Sequence, residues 1–223
     1  MIAVTDYGAG NLRNVCKALE HVGAKITLTD DPQVIAHADK VVVPGVGAFA
    51  DCQQGLKSRR LFEPIQEAAR SGKIVLGICV GMQLLFDVGE EMGEWDGLGL
   101  IGGRVVKFAG AAFEGKQGLK VPHIGWNQLK LTQSHPLTQG VPDGGYAYFV
   151  HSYHPRVDDP SHILAATDYG YDFPAVVAKD NVWGIQFHPE KSQDVGLQML
   201  KNFVQFQISD FQFSIGAQAQ SKI

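Results

Sequence analysis

The stretch from Lys73 to Phe86, K-I-V-L-G-I-C-V-G-M-Q-L-L-F, does most to narrow what this chain can fold into. Its first half, Lys73 to Ile78, is a short apolar run with β-branched members, the mark of a strand buried on both faces. Its second half, Met82 to Phe86, has the character of a helix start. Between them stands Cys79, with Gly77 and Gly81 two residues away on either side. A side chain at a sharp strand-to-helix turn is held outward, and small neighbours let the backbone turn tightly and a ligand approach. The free N–H groups and positive dipole end of a following helix would favour thiolate over thiol. The alternative is a small cysteine buried at the end of a core strand.

The rest of the chain supplies a frame for that turn. Ile2 to Thr5 is a strand, and Asn11 is placed to cap a helix with apolar positions Leu12, Val15, Ala18, Leu19 and Val22, stopped by Gly23. Lys25 to Thr29 is a second strand, and Asp31-Pro32 opens a short helix to His37. Lys40 to Val43 is a third strand. A helical region from about Ala50 to Arg70 is expected to break near Ser58 and again at Pro64. Strand and helix alternating at these intervals give a doubly wound, mostly parallel α/β sheet with flanking helices.

After Phe86 the pattern changes. An acidic, glycine-rich loop is followed by shorter strands: Arg104 to Phe108, Trp126 to Leu131, Tyr146 to Tyr153, Ile163 to Thr167, and a hairpin of Ala175 to Lys179 with Val182 to Phe187 turning at Asp180-Asn181. Ser134 to Gly140 can hold one helical turn. Ser192 is placed to cap a last helix with Val195, Met199, Leu200, Phe203 and Phe206 on its apolar side. No repeat or low-complexity linker interrupts the chain. The expectation is one domain, residues 1–210, with an antiparallel second half and a tail, residues 211–223.

Several function classes recede. With a net charge of −4, no Lys/Arg cluster exceeds Arg59-Arg60, which speaks against nucleic acid. No apolar run approaches the roughly 18 residues of a membrane span, and the N-terminus has no basic n-region. Cys16, Cys52 and Cys79 form no C-x-x-C, so free thiols in the cytoplasm are expected; Cys16 and Cys52 read as helix residues without a role. Gly8 and Gly10 after the first strand, with Asp30 ending the second, invite a dinucleotide reading, but Arg13 stands where the third glycine belongs. His151 and His154 tend to opposite faces, without supporting ligands, so no metal and no cofactor are expected. Tyr146, Tyr148, Phe149 and Tyr153 read as sheet packing.

Two motifs remain. Pro44 to Phe49, P-G-V-G-A-F, follows a strand's carboxyl end, where loops of a doubly wound sheet line the ligand crevice beside Cys79. Gly184 to Glu190, G-I-Q-F-H-P-E, offers His188 as a base and Glu190 as the group that orients it, which a cysteine nucleophile needs.

Together these motifs resemble the class I (triad-type) glutamine amidotransferases. Gly77 to Gln83 is similar to their nucleophile turn, and His188-Pro189-Glu190 to the rest of their triad. D-Y-G-A-G-N-L from Asp6, P-H-I-G-W-N from Pro122, F-V-H-S-Y from Phe149 and H-P-E-K-S from His188 point within that family to glutaminases that serve a (β/α)₈-barrel cyclase in histidine biosynthesis. Val80, where leucine is commoner, and a longer C-terminal tail are the departures. The resemblance implies Cys79, His188 and Glu190 as the triad, and an oxyanion site from the Val80 N–H plus an N–H from Gly45, Val46 or Gly47. It also implies glutamine binding by Gln83, Glu91, Ser152 and Tyr153, and a heterodimeric cyclase contact at Trp126, Tyr148 and Lys191. The glycines of the P-G-V-G loop permit a peptide flip, from which low activity without the liganded cyclase is expected. The alternatives are a subunit for aminobenzoate, anthranilate or pyridoxal phosphate synthesis, a dinucleotide-dependent oxidoreductase, and a non-catalytic scaffold.

Overall fold

The computed structural model describes residues 1–207, so the expected tail lies outside the described residues. Fourteen strands and six α-helices follow in order: β1 (Ile2–Thr5), α1 (Leu12–His21), β2 (Ile26–Thr29), α2 (Pro32–His37), β3 (Lys40–Gly45), α3 (Phe49–Ser58), α4 (Phe62–Arg70), β4 (Ile74–Cys79) and α5 (Val80–Gln83). Then come β5 (Val88–Gly89), β6 (Trp95–Asp96), β7 (Gly103–Lys107), β8 (His123–Gln128), β9 (Lys130–Leu131), β10 (Tyr146–His151), β11 (Tyr153–Val157), β12 (Ile163–Asp168), β13 (Asp172–Lys179), β14 (Val182–Ile185) and α6 (Gln193–Gln205).

The main sheet has eight strands in the order β2-β1-β3-β4-β14-β13-β12-β9. From β2 to β14 the neighbours run parallel, and from β14 to β9 they run antiparallel. Every residue of β1, β3 and β4 is buried, as apolar runs without alternation demand when both faces are covered. α1 packs on α6, and α4 packs on α2 and α3. Lys40, at the start of β3, donates from its buried ammonium to the carbonyls of Phe203, Val204 and Phe206, closing the C-terminal end of α6. No helix among the described residues is long and apolar enough to cross a membrane.

Several expectations need correction. Pro64 does not break its helix: it lies in the first turn of α4, where an N–H has no helical partner to lose. The helix after Cys79 begins at Val80 and ends at Gln83, instead of starting at Met82 and running to Phe86. The acidic loop after Phe86 holds β5 and β6, which join a four-stranded sheet of order β11-β7-β5-β6. The strand expected from Tyr146 to Tyr153 is broken at Ser152, and its halves enter different sheets: β10 pairs with β8, and β11 with β7. The antiparallel half is thus divided among three sheets. By contrast, the β13–β14 hairpin turns at Asp180 with φ +50, as expected. Asp31 caps α2 by accepting from the Gln33 N–H at 2.8 Å.

Candidate active site

Cys79 ends β4 with φ 57 and ψ −115, a strained conformation for a residue with a side chain. Close packing holds it there. A Cβ on Gly81 would lie 1.7 Å from the Val43 carbonyl oxygen, and one on Gly77 would lie 2.4 Å from the Gly81 oxygen. Both glycines are therefore required by contact with backbone, the kind of neighbour that cannot swing aside. The α5 segment behind the sulfur is a single turn, so its dipole is a weak influence.

β14 runs parallel beside β4, with Ile185 opposite Ile78, and delivers His188 to the same end of the sheet. Nδ1 of His188 lies 2.9 Å from Oε1 of Glu190, which leaves Nε2 for the Cys79 sulfur. Burial alone would lower the His188 pKa. The hydrogen bonds to Cys79 and Glu190, with their negative charge, outweigh that and raise it to about 9. The imidazole therefore holds a proton at neutral pH.

A cavity of about 300 Å³ opens over this pair, lined among others by Val46, Gly47, Cys79, Val80, Gln83, Glu91, Ser152, Tyr153 and His188. Glu190 stands behind His188. Gly45 lies just beneath, opposite Cys79 in the β3–β4 register. Glu91 accepts the Phe49 N–H through Oε2 at 2.7 Å, which fixes its carboxylate at the start of α3. Gln83 donates from Nε2 to the Tyr153 carbonyl at 2.9 Å and to Gln186 Oε1 at 3.2 Å, so its amide nitrogen shapes the wall and only Oε1 remains for a ligand. The break at Ser152 turns Ser152 and Tyr153 into that wall. A larger hollow of about 570 Å³, lined by Met1, Lys25, Lys40, Lys73 and Phe206, lies where the strands begin, away from the cysteine.

Sequence reasoning misplaced two caps. Asn11 makes no side-chain cap to α1. It reaches instead across to Glu190 Oε1 at 3.4 Å, fastening the loop after β1 to that carboxylate. Ser192 does not cap α6 with its side chain. Its hydroxyl donates to the His188 carbonyl at 2.7 Å and accepts the Tyr148 N–H at 2.9 Å. The signal that could have found both was there: each lies in a motif that also carries the resemblance, D-Y-G-A-G-N-L and H-P-E-K-S.

A second histidine group reaches the cavity through His151. His151 lines the cavity, with Nδ1 2.8 Å from the Tyr153 carbonyl. Since a carbonyl can only accept, that nitrogen carries the hydrogen, and Nε2 must accept from His123 Nδ1 at 3.3 Å. His154 meets the Tyr171 hydroxyl at 2.8 Å. Burial lowers all three, His123 and His154 to about 4 and His151 to about 3, so they are neutral.

Trp126 and Tyr148 meet edge-on, with ring centroids 5.9 Å apart, and the Lys191 ammonium lies 5.6 Å from the Tyr148 ring. The structure thus gathers the three residues expected at a partner contact into one surface. Tyr148 is not plain sheet packing, nor is Tyr146. Trp126 is 47% exposed, and the same two-stranded sheet exposes Tyr146 and also Ile124, which sequence reasoning did not single out. Together these residues form an exposed apolar patch.

Comparisons with known proteins bear on the family and the fold. The family described as "Glutamine amidotransferase class-I" matches residues 3–206. A protein of Syntrophotalea carbinolica named "Imidazole glycerol phosphate synthase subunit HisH" is 52% identical over 203 residues, covering 91% of this chain and 98% of the relative. A HisH protein of Salinibacter ruber is 50% identical, covering 91% and 93%. Among solved structures, PurLQS from Thermotoga maritima superposes with a TM-score of 0.67 at 20% identity, covering 91% of this chain and 94% of that one. The glutaminase domain of Trypanosoma brucei CTPS with bound acivicin gives 0.62 at 16% identity, covering 91% of each. At such identities the two structures speak for the fold alone.

Proposed function

The chain belongs to the class-I glutamine amidotransferase family, and from that premise we propose that it is the glutaminase subunit of imidazole glycerol phosphate synthase, acting in histidine biosynthesis. It hydrolyses glutamine to glutamate and ammonia, and the ammonia passes to a cyclase subunit that makes imidazole glycerol phosphate and AICAR. The observation that carries this reading is the placement of His188 between Cys79 and Glu190 at the floor of the cavity.

In the reaction, the Cys79 sulfur attacks the side-chain carbonyl carbon of glutamine. The resulting oxyanion is held by the Val80 N–H and by an N–H of the Gly45 to Gly47 loop. His188 gives its Nε2 proton to the departing ammonia as the C–N bond breaks, leaving a glutamyl thioester. Water then attacks the thioester, with His188 taking a proton, and the thiolate leaves. Glu190 holds the imidazole through Nδ1. Glu91 faces the α-ammonium of the substrate, and Ser152, Tyr153 and the Gln83 oxygen complete the recognition of its amino-acid end. No cofactor enters any of these steps.

The cyclase is a (β/α)₈ barrel in a heterodimer with this chain, and it docks on the face formed by Trp126, Tyr148 and Lys191. Residues 1–210 act as one domain. The complex works in the cytoplasm, where thiols such as Cys79 stay reduced.

Ammonia release from glutamine, measured with the chain alone and with a barrel cyclase plus its nucleotide ligand, tests this proposal. Release chiefly in the complex, abolished by Cys79→Ala, is the expected result. Equal release without the cyclase would remove the partner from the reading. No release in either condition would remove the glutaminase.

A further inference from the structure

Cys52 has no role in sequence reasoning, and Tyr7 is a member of a glycine loop whose nucleotide reading fails at Arg13. The structure brings both side chains to the back of the P-G-V-G loop. The Tyr7 hydroxyl donates to the Pro44 carbonyl. The Cys52 thiol donates to the Val46 carbonyl at 3.4 Å. These two carbonyls belong to the peptide units on either side of the one that joins Gly45 to Val46. Among the described residues no side chain bonds that middle peptide.

We propose that Tyr7 and Cys52 are positioning residues for the oxyanion side of glutamine hydrolysis, clamping the flanking peptides so that only the Gly45–Val46 peptide can turn. The inference rests on the glutaminase reading above. Peptide units are rigid, so the loop moves only through its φ and ψ angles. With both neighbours held, the free rotations reduce to those at Gly45 and Val46. The middle N–H can then be presented to, or withdrawn from, the oxygen that becomes negative on the substrate, without carrying the rest of β3 with it.

The surroundings fit such a clamp. Tyr7 is 2% exposed, and Cys52 fully buried. Neither lines the cavity, so neither touches substrate. Burial raises the Tyr7 phenol well above its usual value and the Cys52 thiol to about 11, so both keep the hydrogens they donate. Gly45 has no room for a side chain: a Cβ would lie 2.6 Å from the Gly81 nitrogen and 2.9 Å from the Tyr7 hydroxyl. Gly55 in α3 lets that helix press onto Tyr7, since a Cβ there would lie 2.6 Å from the Tyr7 carbonyl oxygen.

Tyr7→Phe and Cys52→Ala in the full chain, assembled with the cyclase, test the clamp by two readouts. The first is the steady-state hydrolysis of glutamine. The second is alkylation of Cys79 by iodoacetamide, a displacement at saturated carbon that forms no oxyanion. Each variant is expected to lose about tenfold in kcat, part of the 10²–10³ that a whole oxyanion donor supplies. KM and the Cys79 alkylation rate should stay within about twofold of wild type. An unchanged kcat in both variants would overturn the clamp. So would a parallel fall in kcat and alkylation, which marks general loss of the site. If Tyr7→Phe does not fold, Cys52→Ala alone decides by the same criteria. A wild-type complex that alkylates normally yet releases no ammonia would overturn the glutaminase reading itself, and the clamp with it.

Discussion

Cys79 and Val46 stand at the ends of neighbouring strands and face the same cavity, but they are held in opposite ways. Cys79 is 3% exposed and locked by glycines whose missing side chains would strike backbone. Val46 is 39% exposed, and a Cβ on Gly47 beside it would meet nothing within 4 Å. In the proposed reaction the nucleophile side is thus preorganised, and the oxyanion side is left free to move within limits. Under the proposed function, a site divided in this way would keep its sulfur in place while the oxyanion donor comes and goes, so turnover could be regulated without rebuilding the Cys79–His188–Glu190 group.

The strongest way to break the contrast is a pair of substitutions read by denaturant unfolding. Gly81→Ala drives a methyl into the Val43 carbonyl and is expected to cost more than about 4 kcal/mol or prevent folding. Gly47→Ala, at φ +92 but in open space, is expected to cost only about 1–2 kcal/mol. Equal costs would erase the distinction between the two sides.

Next in size is Glu190→Gln. It removes the charge behind His188 but keeps the shape, and kcat in the complex should fall by roughly 10²–10⁴ with little change in KM. A loss below about threefold in steady-state assays would mean that the negative charge of Glu190 is not what holds the imidazole in place.

The smallest effect sharpens the comparison between the two histidine groups. His188 has a folded pKa of about 9, above its unfolded value, so its stabilisation is present below about pH 6.5 and lost as pH rises through about 9. Turnover should decline over that same rise, as the proton needed by ammonia departs. His123, His151 and His154 have folded values of about 4, 3 and 4, below the unfolded one, so the unfolded chain takes up more protons in acid. Stability is expected to fall by about 2 kcal/mol or more between pH 6.5 and 4, measured by urea midpoints. A His151→Asn chain should lose part of that acid sensitivity. An unaltered pH profile in this variant would show that His151 is not one of the groups responsible.

The parallel half of the fold was legible because its signals are local. Buried runs in β1, β3 and β4, the Asp31 cap and the Cys79 turn each follow from a few adjacent residues. The other half depends on partners far along the chain. β5 and β6 have two residues each and exist only because β7 lies beside β5. The break at Ser152 leaves no gap in an aromatic run, since both halves are apolar and only the change of sheet separates them. Asn11 and Ser192 have the right chemistry for caps, and tertiary partners claimed their side chains instead. The grouping of Cys79, His188 and Glu190 was legible because they sit in short motifs. The Tyr7 and Cys52 contacts were not, because nothing along the sequence joins those residues to Pro44 and Val46.

The pairing of β14 with β4 has a consequence for how the protein is made. Ile78 and Ile185 are opposite one another in the sheet but about a hundred residues apart in the chain. During synthesis at about 5–20 residues per second, the nucleophile leaves the ribosome some 5–20 seconds before the base that activates it. Until β14 inserts, β4 presents an open edge in the middle of the future sheet, and the α6 end that Lys40 fastens does not yet exist. A nascent chain therefore carries Cys79 without His188 beside it. Chemical competence arrives only with the closing segments, and an interrupted chain would be a candidate for aggregation through that open edge, with no power to consume glutamine.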